Sequence, residues 1–124
     1  MILLDTNYLI RLLVDETEEA ERVDEWVRTG EDLITSSIVW YEFLSGPVDG
    51  EGIAIVETLL DGRVVPFAGA HATEAARLYN AGGRFRRLRI AAMIAATAIV
   101  TGAGLATENA EDFRTFTRFG LKLV

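Results

Sequence analysis

An acidic residue directly follows a short, wholly apolar run at the start of the chain. Residues Ile2 to Leu4 are too few for a helix and include no polar side chain, which is typical of a buried strand in a parallel sheet. Asp5 then lies at the carboxyl end of that strand, where ligand sites gather in open α/β sheets. Two interpretations of Asp5 stay open at this point: a metal ligand, or the N-cap of the following helix.

Short apolar runs alternate with helical patterns along the rest of the chain. Further strands are predicted at Leu33–Thr35, Val64–Phe67, Leu105–Thr107 and Leu121–Val124. Helices are predicted between them at residues 8–14, 18–29, 38–44, 53–60, 72–80 and 88–100, with a last short one after Asn109. This alternation predicts an α/β fold of three layers: a mainly parallel sheet of four or five strands, flanked by helices, with Asp5 after the central strand.

The composition is that of a chain that can bury a core. Half of the 124 residues are hydrophobic and only two are proline, so we expect one domain spanning residues 1–124. The lack of cysteine excludes disulfides, thiol nucleophiles and Cys-based zinc sites. No signal-peptide pattern opens the chain, and the longest apolar run, 90–100, is far shorter than the ~20 residues of a membrane span. We therefore expect a cytoplasmic protein without membrane contact.

Charge is distributed unevenly along the chain. The net charge is -7, with acidic residues concentrated at 15–25, whereas a nucleic-acid binder is more often basic. Four arginines nevertheless cluster at Arg84, Arg86, Arg87 and Arg89. Such a local cluster either receives a polyanion or is a solvated helix start.

Two further places carry carboxylates in unusual surroundings. Glu42 interrupts the apolar segment 38–44, where a carboxylate is costly to bury unless a cation compensates it, although its side chain can instead face water. Asn109 and Asp112 follow a predicted strand and either begin a helix or hold a ligand. Carboxylates that converge at one sheet edge suit Mg²⁺ or Mn²⁺, cations that promote phosphodiester hydrolysis.

Four segments, in this order, resemble the PIN-domain family, and within it the VapC-type toxins of toxin–antitoxin pairs. The segments are Leu3–Asn7, Val39–Phe43, Ala92–Ala98 and Leu105–Phe113. The resemblance covers nearly the whole chain and implies a PIN-like fold with Mg²⁺- or Mn²⁺-dependent endoribonuclease activity on structured RNA such as tRNA or rRNA. It also implies a homodimer that a small cognate antitoxin inhibits.

The resemblance also implies roles for individual residues. Asp5 and Glu42 match two acidic metal ligands, and Asn109 and Asp112 match the last polar or acidic positions, with Asp112 as a third metal ligand. Thr6 matches a small polar residue that supports the first ligand. The arginine cluster at 84–89 is then expected to contact RNA phosphates, or else an acidic segment of the antitoxin.

One position departs from the family pattern. The family has an aspartate three residues before Ile94, and this chain has Ala91 there. Without that carboxylate the site loses a central ligand, so we expect the chain to be impaired as a nuclease. The alternative is a non-catalytic module that uses the fold to hold RNA or a partner protein.

Other catalytic motifs find no support in the sequence. His71 is the single histidine, which argues against a histidine pair or a zinc site, and we expect it to be a surface or capping residue. Trp26 and Trp40 both lie on apolar helical stripes, which favours contacts in the core or in a dimer over base stacking.

Overall fold

The computed structural model describes residues 1–124. It contains four strands: β1 (Ile2–Leu4), β2 (Leu33–Ser36), β3 (Val64–Val65) and β4 (Gly104–Ala106). All neighbouring strands pair in parallel, and their order in the sheet is β3-β2-β1-β4. The prediction of an α/β fold with a parallel sheet is confirmed, and β1 is an interior strand as expected.

Seven α-helices flank the sheet. They are α1 (Thr6–Arg11), α2 (Glu18–Arg28), α3 (Ser37–Leu44), α4 (Gly50–Leu60), α5 (Gly69–Ala81), α6 (Arg89–Thr101) and α7 (Ala110–Arg114). Short 3-10 turns at Arg86–Leu88 and Thr117–Phe119 precede α6 and follow α7. Several helices begin where a capping residue satisfies the free N–H groups of the first turn; the Ser36 hydroxyl, for example, accepts a hydrogen bond from the Val39 N–H at 3.0 Å.

Two strand predictions need correction. The predicted strand 64–67 ends at Val65, because Pro66 has no N–H to donate to a neighbouring strand. Residues 121–124 do not form a fifth strand; they contribute one isolated parallel bridge, between Leu123 and Leu105. The sheet therefore has four strands and a single bridging contact beyond β4.

The core surrounds β1 on both faces. Ile2, Leu3 and Leu4 are all buried, within a cluster of 27 buried apolar residues, because a strand in the middle of a parallel sheet has helices on both sides. Every helix is too short or too polar to span a lipid bilayer.

The direction in which strands are added reverses beside β1. The chain passes from β1 outward to β2 and β3, and its last strand, β4, pairs with the other edge of β1. The carboxyl ends of β1 and β4 thus flank a topological switch point, the place where open α/β sheets bind ligands. Leu4 pairs with Ala106, so the next residues, Asp5 and Thr107, leave the sheet side by side.

Candidate active site

Asp5 is a buried carboxylate at this switch point. Only 6% of the residue is exposed, and both carboxylate oxygens accept hydrogen bonds: Oδ1 from the Thr6 N–H at 2.8 Å and Oδ2 from the Thr107 hydroxyl at 2.7 Å. Asp5 is also the N-cap of α1, so both interpretations of its position are compatible with the structure. Burial raises the pKa of the Asp5 carboxyl group, and the hydrogen bonds from Thr107 and Thr6 partly oppose that rise.

Thr6 links Asp5 to Glu42. While its N–H binds Asp5, its hydroxyl donates a hydrogen bond to Oε1 of Glu42 at 2.9 Å. Only Thr6 separates the two hydrogen bonds. The lengths of these bonds and the size of one residue therefore keep the carboxyl groups of Asp5 and Glu42 within about 10 Å of each other. Glu42 itself is exposed, because α3 buries Val39 and Phe43 and leaves Glu42 beside that stripe. Of the two interpretations of Glu42 that the sequence left open, the exposure of the residue favours the one in which its side chain faces water.

Asp112 is held by two neighbouring side chains. Its Oδ1 accepts a hydrogen bond from Nη1 of Arg87 at 2.8 Å, and its Oδ2 accepts one from Nδ2 of Asn109 at 2.9 Å. Asn109 occupies the N-cap position of α7, but its side chain makes no capping hydrogen bond. Its backbone N–H donates to the Thr107 hydroxyl oxygen at 2.9 Å. Thr107 therefore connects the segment that carries Asp112 to Asp5.

One cavity of about 250 Å³ collects these side chains. Its polar wall includes the three acids with Thr6, Asn109 and Arg87, and its apolar wall consists of Ile90, Ala91, Ile94 and Phe113. A larger cavity of about 450 Å³ lies between the end of α1 and the start of α4 and is lined mainly by apolar side chains. We place the candidate active site in the smaller cavity, because only that cavity combines a buried carboxylate with the switch point.

The carboxylates meet the needs of a divalent cation only in part. Their oxygens are the hard donors that Mg²⁺ and Mn²⁺ prefer. However, no group of three or more Asp, Glu or His side chains is close enough together to hold a metal ion. Ala91, buried in the cavity wall, contributes only a methyl group where the family resemblance implies a carboxylate. As they stand, these residues do not complete a divalent-cation site.

The four arginines of the predicted cluster have different neighbours, and their contact with RNA phosphates stays a prediction. Of its four members only Arg87 lines the cavity. The guanidinium groups of Arg84 and Arg89 lie against the ring of Tyr79, 5.4 and 5.7 Å from its centre, and Arg86 is exposed. Arg87 therefore lies beside the acids while Arg84 and Arg89 share the ring of Tyr79, a difference that sequence spacing alone did not reveal.

Thr107 is a site residue to which sequence reasoning assigned no role. Its hydroxyl binds Asp5, yet it is 102 positions away in sequence. The only signal is topological: Thr107 follows the strand that pairs with β1, so it became identifiable once that pairing was known.

The remaining sequence candidates have structural roles. Nδ1 of His71 accepts a hydrogen bond from the Ala68 N–H at 2.9 Å at the start of α5, so the capping role is confirmed, although the residue is buried rather than on the surface. Trp26 stacks on Tyr8 and Trp40 on Phe43, with ring centres 5.8 and 5.5 Å apart. Both tryptophans pack against the core.

The chain belongs to the PIN-domain family. The model of that family, the PIN domain, matches residues 2–118, and its relatives among toxins are generally nucleases. Among curated proteins, none matches the sequence.

Three solved structures illustrate the similarity of the fold. The structure of FitAcB from Neisseria gonorrhoeae is 24% identical, with coverage of 99% of this chain and 96% of that chain and a TM-score of 0.74. A toxin–antitoxin complex from Klebsiella pneumoniae is 24% identical, with coverage of 91% and 90% and a TM-score of 0.72. VapBC2 from Rickettsia felis, bound to a DNA fragment from its promoter, is 19% identical, with coverage of 100% and 98% and a TM-score of 0.70. At these identities the likeness shows the fold alone.

Proposed function

We propose that the chain is a VapC-type toxin whose site descends from a Mg²⁺- or Mn²⁺-dependent endoribonuclease. The observation that carries this proposal is the convergence of Asp5, Glu42 and Asp112 on one cavity at the switch point of a PIN fold. The substrate class we propose is structured RNA such as tRNA or rRNA. A cognate antitoxin is the proposed partner, and this is supported by the toxin–antitoxin complexes among structures of the same fold.

Within that function, each polar residue of the cavity has a proposed task. Asp5 and Glu42 are the proposed ligands of the cation, and Asp112 is the proposed third ligand. Thr6 orients the first two acids through its N–H and its hydroxyl. Asn109 orients Asp112 by donating to Oδ2. These contacts orient the carboxylates, which is the kind of support that metal ligands need from their surroundings.

Ala91 is the reason that we propose weak activity for this chain. The helix places residue 91 one turn before Ala95, in the wall of the cavity that Asp5 also lines. Removal of a ligand leaves the cation poorly held, and each tenfold loss of rate corresponds to only ~1.4 kcal/mol of transition-state stabilisation. A loss of several decades in cleavage rate is the expected consequence.

The test compares the chain with its Ala91→Asp variant at equal expression. We expect Ala91→Asp to cleave RNA at least ~100-fold faster, a difference of only ~2.7 kcal/mol, and to inhibit growth more strongly. A matched control adds Asp5→Asn to Ala91→Asp, and this double variant should cleave no better than the starting chain. Equal cleavage by the chain and Ala91→Asp would show that the acid at position 91 is not needed.

A second candidate is a module that binds RNA or a partner protein without cutting RNA. Two observations favour this candidate: Ala91 stands in place of an acid, and no three carboxylates lie close enough together to hold a metal ion. It predicts that the native chain and the Ala91→Asp variant bind RNA or antitoxin equally well, and that neither of them cleaves RNA. Binding and cleavage measured on the same two proteins therefore separate the two candidates.

A further inference from the structure

Positive charge is concentrated in the second half of the chain. Residues 1–62 contain 15 acidic residues and three arginines, whereas residues 63–124 contain four acidic residues, eight arginines and one lysine. The net charge of -7 is therefore the sum of a strongly acidic first half and a basic second half. A basic region of this kind can bind a polyanion although the protein as a whole is acidic.

Most of the basic side chains in the second half have no acid beside them. Three of the nine form ion pairs: Arg63 with Asp32, Arg77 with Glu74 and Arg87 with Asp112. The other six form none; they are Arg84, Arg86, Arg89, Arg114, Arg118 and Lys122. Two of these six, Arg114 and Arg118, line the same cavity.

This cavity of about 520 Å³ lies where α7 ends and the Thr117–Phe119 turn follows. Its lining consists of Glu111, Arg114, Thr115, Thr117 and Arg118, without any apolar residue. Glu111 is the single acid of the lining and forms no ion pair with either arginine. The cavity therefore carries a net positive charge and has no wall that suits an apolar ligand.

An aromatic ring positions the Arg118 side chain. Its guanidinium lies over the ring of Phe119, 4.7 Å from the ring centre. The carbonyl oxygen of Phe119 accepts a hydrogen bond from Nη2 of Arg77 at 3.0 Å, which ties this turn to α5. A guanidinium that contacts a ring through its planar face keeps the N–H groups at its edge free for an anion. Arg118 is thus oriented while its donors stay available.

Arg114 is exposed in the last turn of α7. A cation at this place can stabilise the helix dipole without binding any ligand, but α7 has only five residues, and this effect does not require a second arginine nearby. The Thr117 hydroxyl donates to the Arg114 carbonyl oxygen at 2.8 Å. That hydrogen bond stabilises the turn between Arg114 and Arg118 and favours a shared role.

Helix α7 lies between this cavity and the candidate active site. Asp112 and Phe113 line the active-site cavity, whereas Glu111 and Arg114 line the second one. A helix with its side chains is about 10 Å wide, and successive phosphates of one strand advance by about 3.4 Å along a duplex axis, so the two cavities are about three nucleotides apart. A strand that reaches the active-site cavity can continue over α7 to the two arginines.

We propose that Arg114 and Arg118 form a second RNA-binding site, which contacts backbone phosphates about three nucleotides from the candidate active site. This inference rests on the RNA substrate of the proposed function. Guanidinium groups bind phosphate oxygens in pairs, and phosphate contacts position a nucleic acid without reading its sequence. An acidic protein segment is the competing occupant; the nearness of the active-site cavity favours RNA.

The experiment measures the binding of fluorescently labelled tRNA by anisotropy at several salt concentrations, in EDTA so that no divalent cation takes part. It compares the native chain with Arg114→Gln/Arg118→Gln. The matched control is Arg28→Gln/Arg63→Gln, which removes the same charge from two exposed arginines. Both control positions precede strands, β2 and β3, and therefore lie toward the amino ends of the strands, away from the candidate site.

We expect Arg114→Gln/Arg118→Gln to lower the slope of log K against log salt by about 1.4–1.8, the loss of two phosphate contacts. At 0.1 M salt this corresponds to roughly 25- to 60-fold weaker binding of tRNA. The control variant should keep the slope of the native chain. Arg114→Lys/Arg118→Lys should keep it too, because both charges remain. Circular dichroism checks that each variant keeps the fold.

The lack of native cysteine allows a direct test of position. Thr117→Cys, labelled with a photoreactive group, should cross-link to tRNA, because Thr117 lies in the cavity with the two arginines. Thr29→Cys is the matched control. Thr29 is also exposed, and its hydroxyl likewise donates to a carbonyl oxygen three residues earlier, that of Trp26. The control should not cross-link.

Equal salt slopes for the two Gln double variants, equal cross-linking at positions 117 and 29, or no tRNA binding by the native chain would overturn the inference. If Arg114→Gln/Arg118→Gln weakens binding of a poly-glutamate peptide but leaves tRNA binding unchanged, the surface binds an acidic protein segment and the inference is wrong.

The outcome is separable from that of the proposed function. If Ala91→Asp cleaves RNA while the two Gln double variants bind tRNA alike, this inference fails and the proposed function stands. If Ala91→Asp does not cleave RNA but the slope falls as expected for Arg114→Gln/Arg118→Gln, the second RNA-binding site stands and the cleavage proposal fails.

Discussion

Thr107 donates its hydroxyl to Oδ2 of Asp5 at 2.7 Å, across the gap between two neighbouring strand ends. The same hydroxyl oxygen accepts the Asn109 N–H at 2.9 Å. One threonine thus satisfies the buried acid of the site and orders the loop that leads to Asp112. Because its hydroxyl makes both hydrogen bonds, Thr107 is the first position at which to test the geometry of the candidate site.

Replacement of Thr107 by valine should lower the free energy of unfolding at pH 7 by about 1–3 kcal/mol, the range for a buried acceptor left without its partner. Thr107→Ser keeps the hydroxyl and should stay within about 0.5–1 kcal/mol of the native chain. Thr117→Val is the matched control, because the exposed Thr117 hydroxyl binds only a nearby carbonyl oxygen. Urea titration provides the measurement. Equal losses at positions 107 and 117 would contradict a special role for Thr107.

Asp5 should make the stability of the protein depend on pH. Burial raises the pKa of Asp5 in the folded state, so the folded state binds a proton more tightly than the unfolded state does. This contribution to stability is complete below the unfolded pKa of about 3.9 and is lost as pH rises through the raised folded pKa. Asp5→Asn should therefore gain stability relative to the native chain between mildly acid and neutral pH.

Urea unfolding of both proteins in steps from about pH 4 to pH 7, the interval that begins at the unfolded pKa, measures this difference directly. Asp24→Asn is the control, since Asp24 is exposed on α2. Parallel stability curves for Asp5→Asn and the native chain would mean that the Asp5 pKa is not raised.

Ala91→Asp should be less stable than the native chain when no divalent cation is present. Ala91 is buried in the cavity wall, and a carboxylate introduced there loses hydration beside Asp5. We expect a loss of about 1–3 kcal/mol, typical of an imperfectly paired buried polar group. Saturating Mn²⁺ should recover most of that loss by binding the folded state alone.

The control for this prediction is Ala92→Asp. Ala92 is 1% exposed and lies outside the acid cavity, so an aspartate there should destabilise the fold with no recovery in Mn²⁺. Thermal unfolding in EDTA and in Mn²⁺ distinguishes the two variants. Recovery of both by Mn²⁺, or of neither, would be inconsistent with a cation site that includes position 91.

A homodimer remains a prediction. Ten large hydrophobic side chains stay at least partly exposed, with Tyr41 at 72% and Val14 at 54%, and large apolar patches on a small protein often mark contacts between subunits. Light scattering should give about twice the 13.6 kDa mass of the chain. A monomer at high micromolar concentration would contradict it.

Most of the fold could be predicted from the sequence because its local sequence patterns agree with one another. The apolar strand before Asp5 and the acid-bearing helix α3 both follow from short patterns that depend little on distant residues. The strand predicted at 121–124 failed for the opposite reason. Its apolar pattern matches a strand, but only Leu123 reaches β4.

Only part of the site could be predicted from the sequence in the same way. Asp5 and Glu42 interrupt apolar segments and are therefore conspicuous, whereas Thr107 became identifiable only through the pairing of β1 with β4. Arg87 illustrates a second limit. Four nearby arginines have the same local sequence character, and only the turn into α6 decides which of them reaches Asp112.

The position of β1 between the second strand and the last one has a consequence for synthesis on the ribosome. The N-terminal part of a chain emerges first, so β2 and β3 can join β1 while its other edge still has no neighbour. That edge closes only after residues 104–106 have emerged. Until then Asp5 has no contact with Thr107, and a nascent chain that stops before β4 carries the first acid of the site without the segment that completes it.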